Sequence, residues 1–110
     1  EKYGKGNLSL FENRIIKPKK IRVKCVSWEN VLKNAIKEKV DIAKVDCEGC
    51  EKFLVDVNDE LIKQIPEWII ECHSYEIARE IINKLSKSHS LKKMVCLVYN
   101  RQYILYFILK

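Results

Sequence analysis

Lys44-Val45-Asp46-Cys47-Glu48-Gly49-Cys50-Glu51 is the stretch on which the fold turns. Residues 41–46 read as a short buried strand. Gly49 marks a sharp exit from it. Cys50, Phe53, Leu54 and Val57 then recur at offsets of three, four and seven, which predicts one face of an α-helix. Along an extended chain Lys44, Asp46 and Glu48 point to one side. A buried lysine so close to carboxylates should pair with them, because an isolated buried charge is costly, and the pairing would favour an ionised Asp46. Glu48 and Glu51 fall at the helix start, where the dipole stabilises negative charge.

Working upstream, Ile21, Val23 and Cys25 alternate with Arg22 and Lys24, the pattern of a strand with one wetter face. Ser27 can cap a helix carrying Trp28, Val31, Leu32, Ala35 and Ile36 on one stripe. Residues 1–20, punctuated by Gly4, Gly6, Asn7 and Pro18, show no sustained period and are expected to be irregular. Working downstream, Asn58 and Asp59 interrupt the helix, Leu61, Ile62 and Ile65 continue as a second short one, and Pro66 ends it. Trp68-Ile69-Ile70-Glu71-Cys72 is a further buried strand. Ser74 can cap a helix with Ile77, Ala78, Ile81, Ile82 and Leu85 on one side. Residues 91–99 and 103–109 close the chain as two strands, with Asn100-Arg101-Gln102 as the hairpin turn.

This order predicts an α/β fold for residues 21–110: three layers, a mostly parallel sheet of about five strands, helices on both faces, and an antiparallel hairpin at the C-terminus. The strand ending at Asp46 is expected to lie inside the sheet. In such sheets ligands bind beyond the carboxyl ends of the strands. Asp46–Gly49 and Glu71–Ser74 both lie at such ends and would share one rim if their strands are neighbours.

Composition sets the outer bounds. With 110 residues, 47% hydrophobic and 33% charged, the chain suits one globular domain and not a disordered or fibrous one. Lys plus Arg (21) less Asp plus Glu (15) leaves +6. The densest basic group, Lys17, Lys19, Lys20, Arg22 and Lys24, reads as a solvated edge strand rather than a nucleic-acid patch. No apolar run approaches the roughly 20 residues of a membrane span. Five cysteines without regular spacing argue against a disulfide framework and for a reducing, cytoplasmic setting, with the thiols acting as small buried hydrophobes.

The same eight residues, 44–51, resemble the Lys-x-Asp-x-Glu-Gly-x-Glu signature of FkbM-type methyltransferases. Residues 23–32 (Val-Lys-Cys-Val-Ser-Trp-Glu-Asn-Val-Leu) are similar to the strand and helix start before that signature. Trp68-Ile69-Ile70-Glu71-Cys72-His73 is similar to the strand after it. Cys47 and Cys50 replace the usual branched and small residues. The resemblance covers about residues 21–110 and implies the C-terminal part of a class I, Rossmann-like methyltransferase domain ending in a helix and an antiparallel hairpin. It implies S-adenosylmethionine as cofactor and a hydroxyl oxygen of a sugar or small metabolite as acceptor. Asp46, with Glu48 and His73, would be the acid/base candidates, and Lys44 and Glu71 would contact substrate. The family's Asp-x-Gly-x-x-x-Gly-like loop is not in the sequence, and Gly4-Lys5-Gly6 does not follow an apolar strand. The cofactor-binding half is therefore expected upstream, and the 110 residues alone are expected to be inactive and to bind S-adenosylmethionine weakly at most. No metal site is assigned.

Three alternatives compete. Cys47-Glu48-Gly49-Cys50 between a strand and a helix would suit a thioredoxin-like redox pair. Cys47, Cys50, Cys72 and His73 have zinc-ligand chemistry, but adjacent residues 72 and 73 on a strand point opposite ways. A non-catalytic interaction module would expose a sheet edge and could form a homodimer through it.

Overall fold

A computed structural model describes residues 18–98 and 101–110. The elements are helix α1 (Trp28–Asn30) continuing into a π-helical turn (Val31–Ala35), β1 (Ile42–Val45), a 3-10 helix (Cys50–Asp56), α2 (Asp59–Lys63), β2 (Glu67–Cys72), α3 (Tyr75–Leu85), β3 (His89–Val98) and β4 (Gln102–Leu109). The expected caps form. Ser27 Oγ accepts from Asn30 N–H at 3.1 Å and Ser74 Oγ from Ile77 N–H at 3.1 Å. Asn58 Oδ1 accepts from Glu60 N–H at 2.7 Å and opens α2. Each satisfies a donor that the helix start leaves unpaired, worth about 1 kcal/mol.

The described sheet has four strands in the order β1-β2-β4-β3. β1 and β2 are parallel, with Val45 opposite Ile70. β4 is antiparallel to both β2 and β3. β1, β2 and β3 therefore run the same way, and the closing pair forms the expected antiparallel hairpin. Of the three residues expected to make its turn, Asn100 lies outside the described residues and Gln102 already belongs to β4; Tyr99 and the segment 1–17 also lie outside the described residues.

One side of the sheet makes the core. Trp68, Ile70 and Cys72 of β2 face Phe107, Leu105 and Tyr103 of β4 across the register, and all six are buried. Leu32, Leu54, Leu61, Ile62, Ala78, Ile81 and Leu85 bring every described helical element onto that one core. Removing such side chains from water contributes about 1.5–3 kcal/mol apiece for the larger ones.

Four expectations need correction. Residues 21–25 form no strand: Ile21 and Val23 are 80% and 77% exposed, because no neighbouring chain among the described residues takes up their backbone groups. The described sheet thus has four strands, and only one adjacent pair is parallel. β1 is one of its two edge strands rather than an inner one, with only Val45 buried. The described helices pack on one face. On the other, Lys44, Ile69, Ile104, Tyr106 and Ile108 are exposed or half-buried, so two layers are present among the described residues where three were expected.

The segment after β1 departs in its period. A 3-10 helix places residues i and i+3 in line, so Glu51, Leu54 and Val57 turn inward, while Phe53, inside on an α-helical count, is 56% exposed.

Candidate functional site

The parallel pairing of β1 with β2 brings their carboxyl ends together. Asp46 follows the last residue of β1, and Glu71 and His73 bracket the end of β2. Glu48 reaches the same place from the turn after β1. The ligand-type atoms of Asp46, Glu48, Glu71 and His73 all lie within 4.8 Å of one another. Four of the five residues expected at the site therefore meet. The fifth, Lys44, stands exposed on the open sheet face and makes no ion pair among the described residues, contrary to the expected pairing with Asp46. Being exposed, it keeps its hydration and needs no counter-charge.

The residue that organises the cluster is Glu51, expected only as an acidic residue at a helix start and not as part of the site. It is fully buried. Its Oε1 accepts from Gly49 N–H at 2.8 Å, and its Oε2 accepts from His73 N–H at 3.0 Å and lies 3.0 Å from His73 Nδ1. Bonds to a charged acceptor contribute roughly 1.5–3 kcal/mol each, and together they offset a desolvation cost of several kcal/mol. Burial by itself would raise the Glu51 carboxyl, but the bond with His73 and the backbone amides outweigh it and hold the group below its ordinary 4.5. The sequence signal was available: counted at a period of three, Glu51 shares a face with Leu54 and Val57.

His73 is held by its Nδ1 side, which leaves Nε2 facing Glu71 Oε2 at 3.3 Å and Glu48 Oε2 at 3.5 Å. Nε2 is buried and has no hydrogen-bond partner. Burial pulls the ring's pKa down, but the bond to Glu51 and the charges of Glu51, Glu48 and Glu71 push it above the ordinary 6.5. Glu71 is in turn steadied by Gln102, whose Nε2–H donates to Glu71 Oε2 at 2.9 Å. The cluster sets four carboxylates against at most one positive ring. With its Nδ1 side turned to Glu51, His73 can offer or withdraw a proton at Nε2, and Nε2 with three carboxylates is also the mixed donor set a divalent cation accepts.

The turn that carries Glu48 is strained. Glu48 has φ +55° and Gly49 φ +117°. Only glycine takes such values freely, and a left-handed glutamate costs on the order of 1 kcal/mol. Cys47 and Cys50 bracket this turn and are joined in a disulfide, their Cα atoms 5.4 Å apart. The expectation of buried thiols therefore holds only for Cys72. Burial first, then the charges of Glu51 and Glu71, push its thiol up to about 12. Cys25 and Cys96 are exposed. With two of its four sulfur and nitrogen donors bonded to each other, the zinc alternative loses its ligand set.

Beside Cys50 opens an apolar groove of about 610 Å³, walled by Val26, Trp28, Val31, Phe53 and Val57. Trp28 Nε1–H donates to Cys50 O at 3.0 Å and ties the groove to the disulfide turn. Among the described residues no helix is long and apolar enough to cross a membrane. No family model, no curated protein and no solved structure matches this chain.

Proposed function

We propose that this chain is the acceptor-side part of an S-adenosylmethionine-dependent methyltransferase of the FkbM type, acting on a hydroxyl oxygen of a sugar or other small metabolite. The observation that carries this is the meeting of Asp46, Glu48, Glu71 and His73 beyond the carboxyl ends of two adjacent parallel strands, where open α/β sheets bind their ligands. The signature around Asp46 and the closing helix and hairpin fit the same reading.

S-adenosylmethionine would supply an electrophilic methyl and its own leaving group. The residues here do not fit a site for it, since the sequence has no glycine-rich loop, and no residue is assigned to the cofactor. The chain's own contribution is to the acceptor. Asp46 and Glu48 are exposed carboxylates able to accept a hydrogen bond from a hydroxyl and take its proton as the oxygen attacks. Glu71, steadied by Gln102, and His73, steadied by Glu51, fix the back of the site. Lys44 is free on the adjoining open face to meet a polar substituent.

The test is transfer of a tritiated methyl from S-adenosylmethionine to hydroxylated acceptors by the full-length protein from its natural source. Labelled acceptor is expected, with a loss of about a hundredfold in Asp46→Asn, as for removal of an acid/base group. No transfer to any hydroxyl acceptor would contradict the proposal.

The disulfide favours a second reading, a thiol–disulfide oxidoreductase. Its surroundings count against fast exchange. Cys47 Sγ lies 3.8 Å from the buried Glu51 Oε1, Glu48 sits between the two cysteines, and no lysine or arginine pairs with either glutamate among the described residues. Negative neighbours disfavour the thiolate that attacks.

A further inference from the structure

We propose that Cys47 and Cys50 form a redox switch on the acidic site, in which the disulfide holds Glu48 against His73 and its reduction releases Glu48. This deepens the methyl-transfer proposal and rests on it for the identity of the site it regulates.

The geometry is specific to this turn. The two cysteines enclose only Glu48 and Gly49, and these are the two residues at positive φ among those described. A glutamate does not choose that conformation unaided. Three ties hold it: the disulfide, the Gly49 N–H bond to Glu51, and the approach of Glu48 Oε2 to His73 Nε2 at 3.5 Å. The disulfide is the only covalent one. The Glu48 side chain is 66% exposed, so nothing packs over it to keep it in place once the turn loosens. Glu71 and Glu51, by contrast, are 16% and 0% exposed and are held from outside the turn, by Gln102 and by the backbone amide and ring of His73. Reduction would therefore act on one arm of the cluster and leave the other standing.

A released Glu48 can return to negative φ, which carries its carboxylate away from the imidazole. The freed Cys47 thiol gains an acceptor in Glu51 Oε1, 3.8 Å from its sulfur. That second bond to the buried carboxylate competes with Gly49 N–H and loosens the turn further. The same carboxylate disfavours the thiolate, so exchange is slow and the pair is suited to holding a state rather than to turnover.

The chemistry balances. On oxidation the two thiols give up two protons and two electrons to a low-molecular-weight disulfide, which leaves as two thiols. On reduction an added dithiol is oxidised to its cyclic disulfide, and both protein sulfurs take up protons. Cys25, Cys72 and Cys96 take no part.

The test compares full-length protein equilibrated in oxidised and in reduced dithiothreitol. Mass analysis after alkylation under denaturing conditions counts thiols, and amide NMR with hydrogen exchange reads the turn. Expected are one disulfide, at residues 47 and 50, in the oxidised sample, and on reduction about tenfold faster exchange at the Gly49 amide, with shifted resonances at Glu48 and His73. Cys47→Ser should resemble the reduced protein and ignore the reductant, and Cys50→Ser serves equally if the first variant fails to fold. Unchanged Gly49 and His73 amides on reduction, or the absence of a 47–50 disulfide from the oxidised sample, would overturn the switch. Methyl transfer measured on the same two samples separates the proposals. A turn that responds in a protein with no transfer at all sinks the enzymatic reading and leaves the structural coupling. Equal transfer in both states sinks the regulation and leaves the enzyme.

Discussion

The two histidines sit at opposite ends of the same sheet and are treated in opposite ways. His89, at the start of β3, is fully buried, and both ring nitrogens are paired, Nδ1 with Ser88 Oγ at 2.8 Å and Nε2 with Ile65 O at 2.8 Å. It closes the amino end of the sheet, where Leu109 N–H also donates to Pro66 O at 2.8 Å. His73, at the carboxyl end of β2, has one nitrogen anchored and the other buried among carboxylates without a hydrogen bond. A protein that satisfies one imidazole completely and leaves another half-satisfied has spent stability at the second site, and such sites are where chemistry is found.

The contrast can be broken or sharpened by substitution. His89→Ala should have the largest effect, about 3 kcal/mol, because it leaves Ile65 O unpaired and opens a cavity in the packing. Chemical denaturation measures it, and the NMR signals of residues 46–51 should not move. Glu51→Ala should cost about 2 kcal/mol by stranding Gly49 N–H and His73 N–H. Unlike His89→Ala it should shift the rim resonances, and Glu51→Gln, whose amide oxygen still accepts, should recover part of the loss. Glu48→Gly points the other way. At φ +55° glycine relieves strain, so stability should rise by up to about 1 kcal/mol in thermal unfolding.

The smallest effect is the pH dependence. Glu51 has its folded pKa lowered, so its contribution is present above 4.5 and is lost as pH falls through the folded value. His73 has its folded pKa raised, so its contribution is complete below 6.5 and is lost as pH rises through the folded value. Wild-type stability against pH should therefore decline at both ends. In His73→Gln the decline on the alkaline side of 6.5 should disappear, and its persistence would place the titrating group elsewhere.

Much of this was legible in the sequence, and the exceptions have identifiable causes. Caps at Ser27 and Ser74 follow from local hydrogen bonding, which the chain carries wherever it goes, while Asn58, read only as a break between two helices, also caps the second. The strands at 42–45, 67–72 and 102–109 follow from apolar runs bounded by turn residues. Ile21, Val23 and Cys25 alternate with charged residues as a half-exposed strand would, yet a strand needs a neighbour, and none is present among the described residues. Glu51 was hidden by the choice of period: an α-helical count puts Phe53 inside, and the 3-10 count puts Glu51 there. The convergence of Asp46 with Glu71 and His73 depended on β1 lying next to β2, which residue order suggested. The distances within the cluster came from tertiary packing and could not be read from spacing.

The most direct test pairs two substitutions in one assay, methyl transfer to a hydroxyl acceptor alongside thermal unfolding, with His73→Gln and His89→Gln in the full-length protein. Expected is a folded His73→Gln protein that has lost transfer and a His89→Gln protein that melts earlier but, while folded, transfers at the wild-type rate. Transfer that survives in His73→Gln, or falls equally in both, would contradict a functional site at the carboxyl ends of β1 and β2.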